Sequence, residues 1–385
     1  MVLSKISGSL STVFSNFNLS SLLGSSELLS VDLGSYAIKI VHLKKGKNGK
    51  YSLAHWGILY LPEEMVSTEA PPAEKKAVIV NLLKNYLSKQ KIGVKNAITS
   101  VSGSSVIVRY VKFPKTTREE LSKNIQFEAE PYIPFDIREV NIGYYIIGDI
   151  TEEGQKKTET VLVAAKKDLI QNKLEIFQEV GLNLLIIDVD AFAIESCYEI
   201  NRDPSANELA IMINIGANVT NMSIIENGIS RVVRDIFIGG NSFNKSLQKN
   251  LSCNYKTAEE KKKKYGMLVT AEEKEKALTE NDKESLQISN VLTTVANDLL
   301  GEIRRSIDFY YSQQGEQKVL NRVILCGGSA NIKSLDKYFA QELKINTEVY
   351  NPLASIEKNM VIPPENLPML GVATGLATRT LKDSL

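Results

Sequence analysis

Histidine is almost absent: His42 and His55 are the only two among 385 residues. A multi-histidine zinc site is thereby excluded, and general acid–base catalysis by histidine has few candidates. Cysteine is scarce too. Cys197, Cys253 and Cys326 stand far apart, form no CxxC and, as an odd set, cannot all pair, which fits a reducing compartment better than a disulfide scaffold. Neither sign of charge is in surplus. Lys plus Arg is 46 and Asp plus Glu is 45, a net +1, so the basic excess of a nucleic-acid binder is missing. No apolar run approaches the roughly 20 residues that a membrane-spanning helix needs. What is present is an ordinary globular balance, 43% hydrophobic and 24% charged. The chain is long enough for two or three domains at roughly 150 residues each.

The first residues stand apart. Met1 to Ser30 is Ser-rich and nearly uncharged, with Leu3, Ile6, Leu10, Val13 and Phe17 at helical spacing. Lys5 is its only basic residue, whereas membrane-surface helices are usually Lys/Arg-rich. A tether, or a helix docked on its own domain, is the expectation for residues 1–27.

From Leu28 onward one unit occurs twice. Val31-Asp32-Leu33-Gly34-Ser35 leads into Ala37 to Val41, then Asn48-Gly49, then Tyr51 to Ala54. Ile211 to Ala217 leads into Val219 to Ile225, then Asn227-Gly228, then Ile229 to Val233. Each reads as strand, glycine turn, strand, Asn-Gly hairpin, strand. Each continues into helix and strand: Ala73 to Gln90 then Ala97 to Val101, and Asn290 to Ser312 then Arg322 to Cys326, followed by a helix over Ile332 to Glu342. A duplicated α/β architecture follows, each sheet covered by helices. Val106 to Ala165 falls outside the repeat and reads as a small inserted α/β subdomain. Its helix, Arg118 to Glu130, shows Leu121, Ile125 and Ala129 on one face and stops at Pro131. Asn241 to Asp282 is a second, charged helical insertion, whose basic run Lys261 to Lys264 reads as a solvated face. The helix beginning at Asp190, and the stripe Gly371, Ala373, Gly375, Ala377, are expected to cross between the two halves.

The chemistry lies in the glycine turns. Backbone N–H groups can converge on a phosphate where no Cβ intervenes. Asp32-Leu33-Gly34-Ser35 offers such a turn, its carboxylate suited to the waters of a magnesium ion, with Lys39 next on the following strand. Gly216-Ala217-Asn218-Val219-Thr220 offers a facing turn, and Gly327-Gly328-Ser329 a third at a strand end.

Together these turns resemble the phosphate-1, phosphate-2 and adenosine motifs of the actin-like ATPase superfamily. Ala258-Glu259-x-x-Lys262-x-x-Tyr265-Gly266 resembles the FtsA branch, in which the matching Glu and Lys contact the ribose or base. Phe113-Pro114-Lys115, the stretch Ile125 to Phe135 (IQFEAEPYIPF), and Glu302 to Tyr310 (EIRRSIDFY) are similar to the PilM family of type IV pilus assembly proteins. The resemblance runs from about Leu28 to Thr380. It implies an α/β fold of two duplicated actin-like, ribonuclease H-like lobes, with the small subdomain inserted in the first. The expected ranges are 28–205 for the first lobe with the subdomain at about 104–167, 206–367 for the second with helical residues at about 241–300, and 368–385 for a returning helix.

The resemblance also implies ATP and Mg2+ in the cleft. They would be held by Asp32, Gly34, Ser35, Tyr36, Lys39, Gly216, Ala217, Asn218, Thr220, Gly239, Gly240, Glu259, Lys262, Gly327, Gly328 and Ser329, with Asp32 and a weakened Asn214 on the metal side. It further implies a groove, with Glu128, Glu130, Tyr132, Ile133 and Phe135 as candidates. That groove would take the cytoplasmic N-terminal peptide of a PilN-like bitopic inner-membrane protein, near the platform protein and the assembly motor ATPases. The protein would then be cytoplasmic, peripheral at the inner face of the membrane, and free of nucleic acid. One departure matters: most relatives have Asp where Asn214 stands, and actin has an acid where Ala217 stands. An amide adds no charge toward a metal and is no base, so slow or negligible hydrolysis is expected. Asp190 can orient a water or simply cap its helix. The alternatives are an FtsA-like division protein and a sugar kinase. The end of the sequence is too short for FtsA's basic amphipathic helix, and no carboxylate set for a sugar pocket is apparent.

Overall fold

The computed structural model describes residues 27–66, 70–203, 208–313 and 318–380. The tether expected over 1–27 therefore lies almost wholly outside the described residues. The chain opens with β1 (Leu29–Leu33), β2 (Ala37–Lys45) and β3 (Tyr51–Tyr60), an antiparallel meander. A short helix α1 (Glu63–Val66) follows, then α2 (Pro72–Lys89), opened by a proline at its first turn, where a missing N–H costs nothing. β4 (Asn96–Val101) returns parallel to β1.

The subdomain comes next: β5 (Val106–Pro114), α3 (Arg118–Ala129), β6 (Val140–Glu152) and β7 (Gln155–Lys166), with sheet order β5-β7-β6. Thr117 starts α3 through a reciprocal capping box with Glu120. Leu121 and Ala129 bury against Val111, Phe113 and Leu162. Pro131 does not abut α3; it sits within a single 3-10 turn, Glu130–Tyr132, which tolerates proline early because that N–H needs no partner there. Then α4 (Lys167–Val180), closed by Gly181 in the left-handed region, leads to β8 (Asn183–Val189). The first sheet has the order β3-β2-β1-β4-β8.

α5 (Asp190–Asn201) leads into the second sheet, formed by β9 (Leu209–Ile215), β10 (Thr220–Glu226), β11 (Ile229–Ile236), β12 (Arg322–Cys326) and β13 (Thr347–Val349). Its order, β11-β10-β9-β12-β13, repeats that of the first. The second hairpin turns on Asn227 and Gly228 alone, both at positive φ, as a two-residue turn requires. The first does not: its Asn48-Gly49 lies within a longer loop between Lys45 and Tyr51. Between β11 and β12 come α6 (Gly240–Leu251), α7 (Tyr255–Tyr265), α8 (Ala271–Thr279) and the long α9 (Lys283–Ser312). α9 buries Ile288, Leu292, Val295, Leu299, Ile303 and Ile307, a stripe at three- and four-residue intervals, against β9 to β12. After β12, Gly328–Asn331 forms a 3-10 turn, so α10 (Leu335–Leu343) starts later than the periodicity predicts.

α11 (Gly371–Ala377) crosses α5 between the two sheets. There Ala193, Ile194 and Leu376 share a core with Ile98 of the first sheet and Met212 and Ile324 of the second. A Cβ on Gly375 would stand 1.6 Å from the Ala193 carbonyl oxygen. The two backbones touch, which only glycine permits.

Candidate functional site

A cavity of about 580 Å³ opens between the sheets, lined by the turns after β1, β9 and β12. The first turn is too tight for a side chain: a Cβ on Gly34 would lie 2.5 Å from Lys39 Nζ and 2.8 Å from the Ala37 carbonyl. Asp32 and Lys39 are register partners across β1 and β2, and Lys39 Nζ sits 2.9 Å from Asp32 Oδ2. Lys39 thus already holds a counter-ion at the cavity wall.

The second-sheet turns are laced together. Gly216 N–H donates to the Val219 carbonyl, and the Gly240 and Asn241 N–H groups donate to the Gly216 and Ala217 carbonyls. Ser329 Oγ donates to the Gly216 carbonyl at 3.2 Å. Gly327, at φ 85°, would drive a Cβ to 2.5 Å from the Ile215 carbonyl and 2.7 Å from Asn214 Oδ1. α7 supplies the far wall. Lys262, 5% exposed, donates to Glu259 Oε2 at 2.6 Å and to the Gly240 carbonyl at 3.2 Å. Burial alone would raise the Glu259 carboxyl, but Lys262 and the Asn244 amide overcome it and hold it at about 2. Lys262 is therefore no part of a solvated face, as the basic run alone suggests; Lys263 and Lys264 are exposed. At the mouth, Lys263 Nζ donates to Tyr36 Oη at 3.3 Å, joining α7 to the first turn.

Asp190 faces the cavity from the start of α5. It does not cap the helix, whose N-cap is Val189 without a side-chain bond. It accepts a hydrogen bond from Ser102 Oγ at 2.6 Å. Burial, and then the charge of Asp32, push its carboxyl up to about 6. Burial pushes the Lys173 ammonium down, against the pull of Asp190 and Asp32.

Of the residues expected around a nucleotide, Asp32, Gly34, Ser35, Tyr36, Lys39, Gly216, Ala217, Asn218, Gly240, Glu259, Lys262, Gly327, Gly328 and Ser329 line the cavity, as do Asp190 and Asn214. Thr220 and Gly239 do not. Thr220 is fully buried and donates its hydroxyl to the Ile238 carbonyl at 2.6 Å, and Gly239 lies behind Ala217. Lys173, Asn221, Asn241 and Tyr255 line the cavity without having been foreseen. Asn221 directly follows the second turn and was within reach of the motif; Lys173 sits on α4 with no local signal. The donors facing the cavity from Asp32 and Asn214 are oxygens, which suit a hydrated divalent cation.

The second candidate set lies on the subdomain. Glu130 is exposed, Glu128 half-buried, and Tyr132 is 41% exposed with its ring edge-on to Phe113. Phe135 lies under Lys166 Nζ at 5.0 Å. Ile133 turns inward to the subdomain core and offers the surface nothing. Phe127, not foreseen, is 78% exposed beside them in sequence.

Two sheets of one strand order, joined by crossing helices and carrying glycine turns from both over a cleft, define an actin-like ATPase fold. A solved PilM–PilN type IV pilus biogenesis complex shares it, with a TM-score of 0.73 at 22% identity over 93% of this chain and 99% of that one. So do the ethanolamine utilization protein EutJ of Carboxydothermus hydrogenoformans (TM-score 0.51, 14% identity, 98% and 97% covered) and MreB 5 of Spiroplasma citri bound to AMPPNP (TM-score 0.50, 15% identity, 91% and 95% covered). The chain belongs to the type IV pilus assembly protein PilM family, whose sequence profile matches residues 30–381.

Proposed function

We propose that this protein is an ATP-binding component of a type IV pilus assembly complex. In this reading it binds magnesium-ATP in the inter-sheet cleft and turns it over slowly or not at all. One observation carries it: three glycine turns from two sheets, with Asp32 between them, meet on a single cavity. Backbone N–H groups there can take a phosphate chain, and in this reading Glu259 and Lys262, on the far wall of the same cavity, contact the ribose or base. The actin-like relative solved with AMPPNP supports the ligand class. Slow turnover follows from Asn214, Ala217 and Asn221, none of which can act as a base; Asp190 is the carboxylate left to orient a water.

The experiment is a thermal unfolding series with magnesium-ATP. Ligand at about 100 times its Kd stabilises the native state by about 2.7 kcal/mol, several degrees at this size. Asp32→Ala abolishes that shift. No shift in nucleotide-stripped wild type would overturn the reading, and brisk phosphate release that Asp32→Ala abolishes would overturn the slow turnover.

The subdomain face around Phe127, Glu130, Tyr132 and Phe135 is our candidate for a PilN-like N-terminal peptide, and the solved PilM–PilN relative supports a partner of that kind. Reversing charge at Glu128 and Glu130 is expected to weaken peptide binding; unchanged affinity would move the groove elsewhere.

A further inference from the structure

One carboxylate, joined to the cleft through a lining asparagine, has no part in the reading above. Asp235 lies on β11 opposite Asn221 of β10, and Asn221 lies opposite Asn214 of β9. The three side chains form a row across adjacent strands. Asn214 Nδ2 donates to Asn221 Oδ1 at 2.8 Å, and Asn221 Nδ2 donates to Asp235 Oδ1 at 2.7 Å. The other oxygen, Asp235 Oδ2, accepts the backbone N–H of Gly103 at 2.6 Å, from the loop after β4 in the first sheet.

The direction of this row is forced. A carboxylate accepts at both oxygens, so each neighbour must donate to it. Asn221 therefore spends its amino end on Asp235 and turns its carbonyl back along the row. Only the amino end of Asn214 can satisfy that carbonyl. The Asn214 oxygen is left pointing away from the row, toward the Gly327 turn of the cavity, where the Cys326 thiol is its one long contact at 3.8 Å. An asparagine by itself can present either end, since the two are nearly the same shape; the carboxylate two residues along the row decides which.

We propose that Asp235 is a positioning residue that sets the polarity of Asn214. It holds an oxygen rather than an amino group toward the metal side of the cleft, and it ties that arrangement to the first lobe at Gly103. The negative charge absent from position 214 stands instead at the far end of the relay. This inference rests on the reading of the cleft as a magnesium-nucleotide site.

The D235N substitution can keep every hydrogen bond of the row by running it backwards, at the loss only of the long Cys326 Sγ contact to Asn214 Oδ1 at 3.8 Å. The new amide accepts from Gly103 and donates to Asn221, and Asn221 donates to the Asn214 oxygen. The Asn214 amino group then faces the cleft and opposes a cation. The exchange N214D/D235N also keeps every bond and returns an oxygen to the cleft.

The experiment measures ATP affinity by calorimetry with saturating magnesium and with EDTA, alongside the melting temperature of the ligand-free protein. D235N is expected to melt close to wild type while the magnesium enhancement of ATP binding falls about tenfold or more, the usual size of an outer-layer effect on a metal site. N214D/D235N is expected to recover it. Full enhancement in D235N, or no recovery in the double variant, overturns the proposal. A D235N that does not fold leaves the double variant as the test. Wild type that binds no ATP under either condition overturns the reading of the cleft itself, an outcome distinct from an intact enhancement in D235N.

Discussion

Asp190 carries a charge where the fold makes charge costly. With its carboxyl raised to about 6 from an ordinary 3.8, the folded chain holds this proton more tightly than the unfolded chain does. The stability it confers is complete below about pH 4 and is lost as pH rises through about 6. Asp190→Asn should therefore raise stability at pH 7.5 by about 1–2 kcal/mol, less than the full displacement implies because the cleft admits water. Melting curves of both proteins from pH 4 to 8 test this: the gap should close toward pH 4, and a gap independent of pH would refute it. Residues of the site differ in how openly the sequence shows them. Asp32 and Asn214 stand near the ends of strands that run into glycine turns, a local pattern that is their signature. Asp235 and Lys173 have no such pattern, because each meets the site through pairing between strands or packing of a helix. Ile133 fails in the opposite sense: it stands in a recognisable stretch, but the 3-10 turn at Glu130–Tyr132 aims it into the core.

Among elements, the crossing of α5 and α11 admits least change. The small-residue stripe predicts a close approach, and the 1.6 Å between a Gly375 Cβ and the Ala193 carbonyl locates it. Because the obstacle is backbone, Gly375→Ala should cost about 3 kcal/mol or more, read from urea denaturation. Gly371→Ala is the control. Its Cβ would meet the Cys326 side chain at an ordinary 3.6 Å, so a change within about 1 kcal/mol is expected. Equal losses at both sites would show that helix propensity, not contact, governs the crossing. Elements with strong periodicity, such as α9, were legible over most of their length. Hairpin geometry was not: identical Asn-Gly pairs make a two-residue turn in one copy and part of a longer loop in the other, since loop length depends on where pairing stops.

For the whole molecule, duplication is the plainest message of the sequence, and the two sheets repeat one strand order. The small-residue stripe shows where the copies join, but one buried ion pair that ties the chain beyond α11 to β8 was hidden. Arg379, beyond α11, donates from Nε to Asp188 Oδ2 at 2.8 Å, with side chains 2% and 1% exposed. Two residues that far apart in sequence announce no pairing. Arg379→Met strands a buried carboxylate and should cost about 3–5 kcal/mol, whereas replacing both partners with apolar residues should recover most of it. An R379M protein as stable as wild type would place the connection elsewhere. The same end of the molecule has a consequence for its making. Ser30 Oγ donates to the Ala373 carbonyl, 343 residues later, and α11 brings Ala373 and Ala377 into the core with Val41 and Leu43 of β2 and Leu53 of β3. At a ribosome's 5–20 residues per second, β1 waits roughly 20–70 s for the helix that covers it. For that interval the nascent first sheet is an unfinished surface, and chaperone demand during translation should track the arrival of α11 rather than the completion of either sheet.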